Sequence, residues 1–309
     1  MSVIKNKLLL IFIHGFKGHD TNFEETRSNL DIESIVYPTY NTKGDFKVVV
    51  NEFCEWLEII VKEREDEIKF DYRNDSGQVL VCLFGHSMGG ILGADAILKY
   101  RINSSVIQNP PKIIGLIGFD TPYYGLHEEI SSIAIKKATN ITQSIKSSGL
   151  LTGFNALATI TVGCVAGVAG IAGIAILNRQ KIYEWVESHL KYVGILWNFE
   201  ELEKRMEDII SLSDITFHCF YTQLLPNEED SSSSFFTSSS TRTFISLPPP
   251  KMKKYFSTIE CNLKDEIDAH IDMFKVETEH YPKFRQETFQ KVNEILDHWE
   301  TMRLSQLEY

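Results

Sequence analysis

The sequence predicts an α/β fold, a mostly parallel sheet flanked by helices with a helical cap insertion. Three observations carry that prediction. Short apolar segments alternate mostly with helical patterns, the rhythm of strands buried on both faces and joined by crossover helices. Gly85-His86-Ser87-Met88-Gly89 stands between an apolar run and a helical pattern, so strand, G-x-S-x-G turn and helix follow in order. A long stretch poor in charge then breaks the rhythm near the middle of the chain.

Leu8–Ile13 reads as the first strand. Lys5 and Lys7 lend it the look of a secretory signal, but the run is short and His14-Gly15 ends it without a small-residue cleavage site, so no cleaved signal is expected. Ser34–Tyr37 is the second strand. Phe46, Val49, Val50, Phe53, Leu57 and Ile60 then recur at helical spacing across Phe46–Glu65, with acids and lysines opposite. Val79–Phe84 is a strand without polar interruption, and the small-residue helix from Gly90 to Leu98 follows the serine turn. Ile113–Phe119, Ile215–Tyr221 and Arg242–Leu247 complete the expected sheet, with Pro248-Pro249-Pro250 ending its last strand. Asn227–Thr241 is serine-rich and too polar to bury much surface, which predicts a flexible loop. Pro282 suits the first turn of a terminal helix, and Phe284, Phe289, Val292, Leu296 and Trp299 stripe that helix as cover for the sheet.

Residues 127–212 form the insertion, which leaves 1–126 and 213–309 as the core. No charged residue occurs between Lys146 and Arg179. At the centre, Ala156–Leu177 is apolar with Gly163, Gly167, Gly170 and Gly173 interspersed. The segment is long enough to span a bilayer, and its small-xxx-small spacing suits close helix packing. The preferred reading is a buried helix or helical hairpin packed as a cap on the sheet, ahead of membrane insertion and of a mobile lid serving both roles. Glycine is costly in a water-exposed helix, so either lipid or tight packing must surround it. From Glu200 to Leu212 an amphipathic helix bearing Leu202, Met206, Ile209 and Ile210 returns the chain to the sheet.

Composition narrows the function classes. Of the 309 residues 43% are hydrophobic, ample for a sizeable core. The net charge of −11, from 31 basic and 42 acidic residues, argues against nucleic acid and against general attraction to anionic membrane surfaces. Five scattered cysteines, most within apolar runs, fit buried reduced thiols of an intracellular, cytoplasmic protein better than a disulfide framework. Neither CxxC nor HExxH spacing occurs, and no metal or cofactor is expected.

The chemistry centres on Ser87. The turn around it must be sharp, and Gly85 and Gly89, lacking Cβ atoms, let strand and helix approach closely. The bland alternative is a glycine-rich structural turn. Acyl transfer by serine also needs a base, an acid that orients it and donors for the oxyanion. On this kind of sheet they follow in the chain order Ser, acid, His. His270 lies beyond the last expected strand, where the base belongs, with His280 as the rival. His218 reads as a buried strand residue, and His189 and His298 fall on helical patterns. Asp120 closes the strand after the serine's own, so it leads for the acid, its other role being a cap on the turn at Thr121-Pro122. Glu228, Glu229 or Asp230 and, within the histidine segment, Asp265, Glu266 or Asp268 remain open alternatives. His14-Gly15-Phe16 after the first strand would aim the Phe16 amide at the oxyanion, with the Met88 amide as second donor.

His14-Gly15-Phe16-Lys17-Gly18, Gly85-His86-Ser87-Met88-Gly89-Gly90-Ile91-Leu92 and Gly118-Phe119-Asp120-Thr121-Pro122-Tyr123-Tyr124-Gly125 together resemble lipase-like α/β-hydrolases, and among them the serine esterase family in its fungal branch. The Gly/Ala-rich middle, Trp185-Val186-Glu187-Ser188-His189-Leu190 and the segment from Asp265 to His270 are similar to that branch as well. The resemblance implies an α/β-hydrolase fold and esterase or lipase activity, with Ser87 and His270 in the catalytic roles. Gly118-Phe119-Asp120 resembles the Gly-Leu-Asp of pancreatic-type lipases, which favours Asp120 as the acid.

The expectation is therefore a serine hydrolase of carboxylic esters, lipid or long-chain acyl esters above all, working through Ser87, His270 and Asp120. Membrane association would follow if Ala156–Leu177 inserts. A catalytically idle interaction protein on the same fold, and an acyltransferase or thioesterase with the same triad, are the alternatives.

Overall fold

The computed structural model describes residues 6–13, 30–38, 45–72, 77–103, 109–128, 194–225 and 242–307, with Ile107 and Ile130 besides. Most of the expected insertion, including Ala156–Leu177, lies outside the described residues, as do Phe16 and Glu228 to Asp230. Among the described residues no helix is long and apolar enough to cross a membrane.

Strands β1 (Asn6–Ile13), β2 (Leu30–Val36), β3 (Val79–His86), β4 (Lys112–Phe119), β5 (Thr216–Leu224) and β6 (Phe256–Cys261) form one sheet in the order β2-β1-β3-β4-β5-β6. Every pairing in it is parallel. The described helices are α1 (Phe46–Tyr72), α2 (Met88–Ile102), α3 (Phe199–Ser211), α4 (Glu266–Ile271) and α5 (Tyr281–Leu307).

Alternation along β1 shows why its sequence is apolar from Leu8 to Ile13. Leu9, Ile11 and Ile13 pack with Phe53 and Leu57 of α1, Ile91 and Leu92 of α2, and Leu202, Met206 and Ile209 of α3. Leu8, Leu10 and Phe12 enter a second cluster on the other face, with Phe284, Val292, Ile295, Leu296 and Trp299 of α5. A strand covered on both faces has no position for a polar side chain. Each fully buried Leu, Ile or Phe contributes roughly 1.5–3 kcal/mol. The amphipathic α3 reaches the core by the residues its spacing predicts, and Asn198 caps it by accepting from the Glu201 amide.

One expected strand is not a strand. Arg242–Leu247 makes isolated antiparallel bridges, Thr243 to Gln223 and Ile245 to Leu126, in place of a ladder. It runs across the carboxyl end of the sheet, where its residues bond to two different partners. The chain then passes Pro248-Pro249-Pro250 and a 3-10 turn at Pro250–Tyr255 before forming the true last strand, β6. That strand is an edge, with only Ile259 and Cys261 buried, so its apolar density is too low to stand out.

The order of the strands matters for function. From β1 the chain goes to one side to form β2 and returns to the other side with β3, so the crossovers diverge between β1 and β3. In open parallel sheets ligands bind outside the carboxyl ends of the strands at such a point. Strand order, helices on both faces and the sharp turn after β3 make this an α/β-hydrolase fold.

Candidate active site

Ser87 connects β3 to α2 with φ 55 and ψ −128, a sparsely populated conformation that costs about 1–3 kcal/mol for a residue with a Cβ. The close packing around it explains the flanking glycines. A Cβ on Gly85 would sit 2.3 Å from the Gly90 Cα, and one on Gly89 would sit 2.4 Å from the Ile13 carbonyl oxygen. The serine is thus lifted above the sheet at the amino end of α2. Met88 is the first residue of that helix, so its amide has no acceptor within the helix and lies at the positive end of the helix dipole.

Adjacent strands deliver the partners. The Ser87 amide donates to the Phe119 carbonyl at 2.9 Å, and the Asp120 amide donates to the Phe220 carbonyl at 2.7 Å, which extends the ladder one residue past β4. Asp120 has φ 45, a left-handed conformation that Asp tolerates better than most residues. Its carboxylate is fully buried and multiply bonded. Oδ1 accepts from the Thr222 amide at 2.9 Å, and Oδ2 accepts from the Thr222 hydroxyl at 2.7 Å.

The third bond to that carboxylate comes from His270. Its Nδ1 lies 3.2 Å from Asp120 Oδ2. An ionised carboxylate only accepts, so Nδ1 carries the proton and the Nε2 lone pair is left for an incoming proton. His270 sits near the end of α4, whose amino terminus Asp265 caps by accepting from the Ile267 and Asp268 amides. The segment that carries the histidine is thus a short capped helix. The ring of Phe244 stacks on His270 with centroids 3.8 Å apart, and the ring of His86 stacks at 4.5 Å.

Among the described residues, several rival candidates have other partners. Asp265 is the helix cap and Glu266 pairs with Arg242 at 2.9 Å. His280 bonds the Met273 carbonyl at 3.2 Å, His298 the Ser213 carbonyl at 2.7 Å, and His218 the Ser257 hydroxyl at 3.0 Å. Asp120 is no mere cap on the turn at Thr121-Pro122, because its carboxylate is taken up by Thr222 and His270. Burial pushes the Cys261 thiol up to about 11 and the Cys219 thiol upward too, so neither is a thiolate nucleophile at neutral pH.

Sequence reasoning missed Thr222, Phe244 and the contact of His86 with His270. Thr222 is one polar residue in an apolar strand, and Phe244 belongs to the segment misread as a strand. A cleft of about 530 Å³ opens along the outer edge of β6, between Thr258, Glu260, Lys275 and Lys283. None of Ser87, Asp120 and His270 lines it.

No family model and no curated protein matches the chain. Similar solved structures include the RedJ thioesterase of the prodiginine biosynthetic pathway in Streptomyces coelicolor, at 10% identity and TM-score 0.36, covering 92% of this chain and 86% of that one. Human thioesterase 2 matches at 11% identity and TM-score 0.35, with 96% and 97% covered. The peroxisomal alpha-beta-hydrolase Lpx1 of Saccharomyces cerevisiae matches at 10% identity and TM-score 0.36, with 94% and 79% covered. Likeness at this level fixes neither family nor activity.

Proposed function

We propose that the chain is a serine hydrolase of carboxylic esters, with Ser87 as nucleophile, His270 as general base and acid, and Asp120 as the residue that orients the imidazole. The observation that carries this reading is the bond from His270 Nδ1 to a carboxylate buried at the end of the strand beside the serine's own. A buried, doubly bonded carboxylate facing an imidazole beside a strained serine turn is costly to build for packing alone.

Each group then has one task. His270 Nε2 accepts the Ser87 hydroxyl proton as Oγ attacks the ester carbonyl, and returns it to the departing alcohol. Asp120 holds the ring in the required tautomer and stabilises the imidazolium that forms. The Met88 amide donates to the tetrahedral oxyanion, with the amide of Phe16, three residues beyond β1 in sequence, as its partner. Water, activated in turn by His270, releases the acid.

The substrate class we favour is a lipid or long-chain acyl ester. Its support is apolar surface: Ile130, Phe244 and Ile245 form a buried cluster with Leu126, Tyr221 and Ile267 next to the base, and the sequence adds the apolar stretch 156–177. The lipase-like serine esterase family, in its fungal branch, is the family in which we place it.

A series of p-nitrophenyl esters from acetate to decanoate tests both levels. Wild type should hydrolyse the series with turnover rising with chain length, and Ser87→Ala should not exceed background. Equal or better turnover of acetate than of decanoate would remove the lipid assignment, and no turnover of any ester by folded protein would remove the hydrolase. Acyl thioesters and added alcohol acceptors in the same assay separate a thioesterase or acyltransferase from an esterase.

A further inference from the structure

We infer that His86, the residue before the nucleophile, is a positioning residue for the base, an inference that rests on the triad proposed above. His86 contacts His270 in two independent ways. Its ring stacks on the His270 ring with centroids 4.5 Å apart and planes 26° apart. Its Nε2 lies 3.1 Å from the His270 backbone carbonyl, which can only accept, so Nε2 carries a proton and donates. The edge of Phe274 backs the His86 ring at 5.3 Å.

These contacts complete a clamp. Asp120 fixes the Nδ1 edge of the His270 imidazole, Phe244 covers one face at 3.8 Å and His86 the other. The proposed mechanism then asks the Nε2 edge to serve Ser87. His270 belongs to α4, a helix of two turns at most. A helix this short has little stability of its own and takes its place from what it packs against. Because His86 immediately precedes Ser87, the bond from its ring to the His270 carbonyl ties the nucleophile's own turn to the element that carries the base. Movement of α4 relative to β3 would have to break that bond and part the two rings.

The clamp acts on geometry and leaves substrate binding alone. A base displaced by even 1 Å from the attacking hydroxyl can lower a rate about 100-fold. His86→Ala should therefore lower kcat about 10- to 100-fold on a short-chain ester, with KM unchanged within about twofold. His86→Phe keeps the stack and His86→Gln keeps a donor, so each should recover part of the loss. The second readout is the proton NMR signal of His270 Nδ1–H, which needs no turnover. It should be sharp in wild type and in His86→Phe, and broadened by exchange with water in His86→Ala.

A kcat within twofold of wild type in His86→Ala, or an Nδ1–H signal unaltered in that variant, would overturn the inference. So would equal losses in all three variants matched by equal falls in Tm, the signature of packing alone. The two readings fail separately. If wild type hydrolyses nothing while the Nδ1–H signal responds as stated, the proposed reaction is wrong and the clamp stands.

Discussion

Asp120 and His270 lie 150 residues apart in sequence and meet at 3.2 Å in a place where the carboxylate has no contact with solvent. The first closes β4, and the second sits on a short helix after the edge strand of the sheet. Nothing local brings them together; the parallel stacking of β4, β5 and β6 does. Thr222, at the end of the strand between them, supplies an amide and a hydroxyl that satisfy the carboxylate oxygens. A charge left unpaired in such a site would cost several kcal/mol, so the three residues form one unit.

Asp120→Asn should keep the fold and lose the reaction. The amide oxygen can still accept from the Thr222 amide, and the Thr222 hydroxyl can turn to accept from the new NH2 group. That NH2 would then face His270 Nδ1 and force the proton onto Nε2, the wrong tautomer for a base. The expected fall in kcat is about 1,000- to 10,000-fold with an unchanged circular dichroism spectrum. A loss below tenfold would contradict the role given to Asp120.

Thr222→Val separates the hydroxyl from the backbone amide, which the variant keeps. Losing one hydrogen bond to a buried charge costs about 1.5–3 kcal/mol. Tm should fall by about 2–5 °C on that basis. The carboxylate is then held on one side only, and kcat should drop about tenfold with little change in KM. Steady-state kinetics beside a thermal melt check both, and an unchanged kcat would assign Thr222 to packing.

Gly85→Ala puts a methyl group against backbone, where no side chain can swing aside. With 2.3 Å to the Gly90 Cα, either the strand or α2 must shift. A cost of about 3 kcal/mol or more is expected, visible as a Tm at least about 4 °C lower or as loss of soluble protein. A Tm within 2 °C of wild type would mean that the turn is looser than described.

His218 predicts a loss of stability in acid. Burial, with a smaller contribution from the charge of Lys291, lowers its imidazole to about 3. The unfolded value is about 6.5, so between the two the unfolded chain binds the extra proton and the native one does not. Stability therefore falls as pH drops from about 6.5 towards 3, by about 2–3 kcal/mol at pH 4.5 from this residue. His218→Gln can keep the bond to Ser257 without titrating, and its urea-unfolding free energy should fall by that much less between pH 7 and 4.5. Equal losses in both proteins would contradict the assignment.

The sequence makes the central strands legible because they are buried on both faces. Leu8–Ile13 and Val79–Phe84 carry no polar residue to blur them. The edge is harder. Ser257, Thr258 and Glu260 dilute β6, while Thr243 and Ile245 give Arg242–Leu247 a strand-like alternation that serves a crossing segment above the sheet. Within the proposed site, Ser87 and Asp120 stand out because each ends a strand in a distinctive motif, and His270 because chain order calls for a base late in the chain. Thr222, Phe244 and His86 are not readable that way. Their roles depend on which residues the sheet register and the path of 242–247 bring beside an imidazole, and local pattern does not encode that.

Reaction of the intact protein with a fluorophosphonate, followed by mapping of the modified peptide, tests the central claim most directly. A hydroxyl at position 87 made nucleophilic by His270 should carry the whole label. Ser87→Ala should take up none, and His270→Ala should react at least about 100-fold more slowly. Folded wild-type protein that stays unlabelled, or a label that persists in Ser87→Ala, would contradict the account.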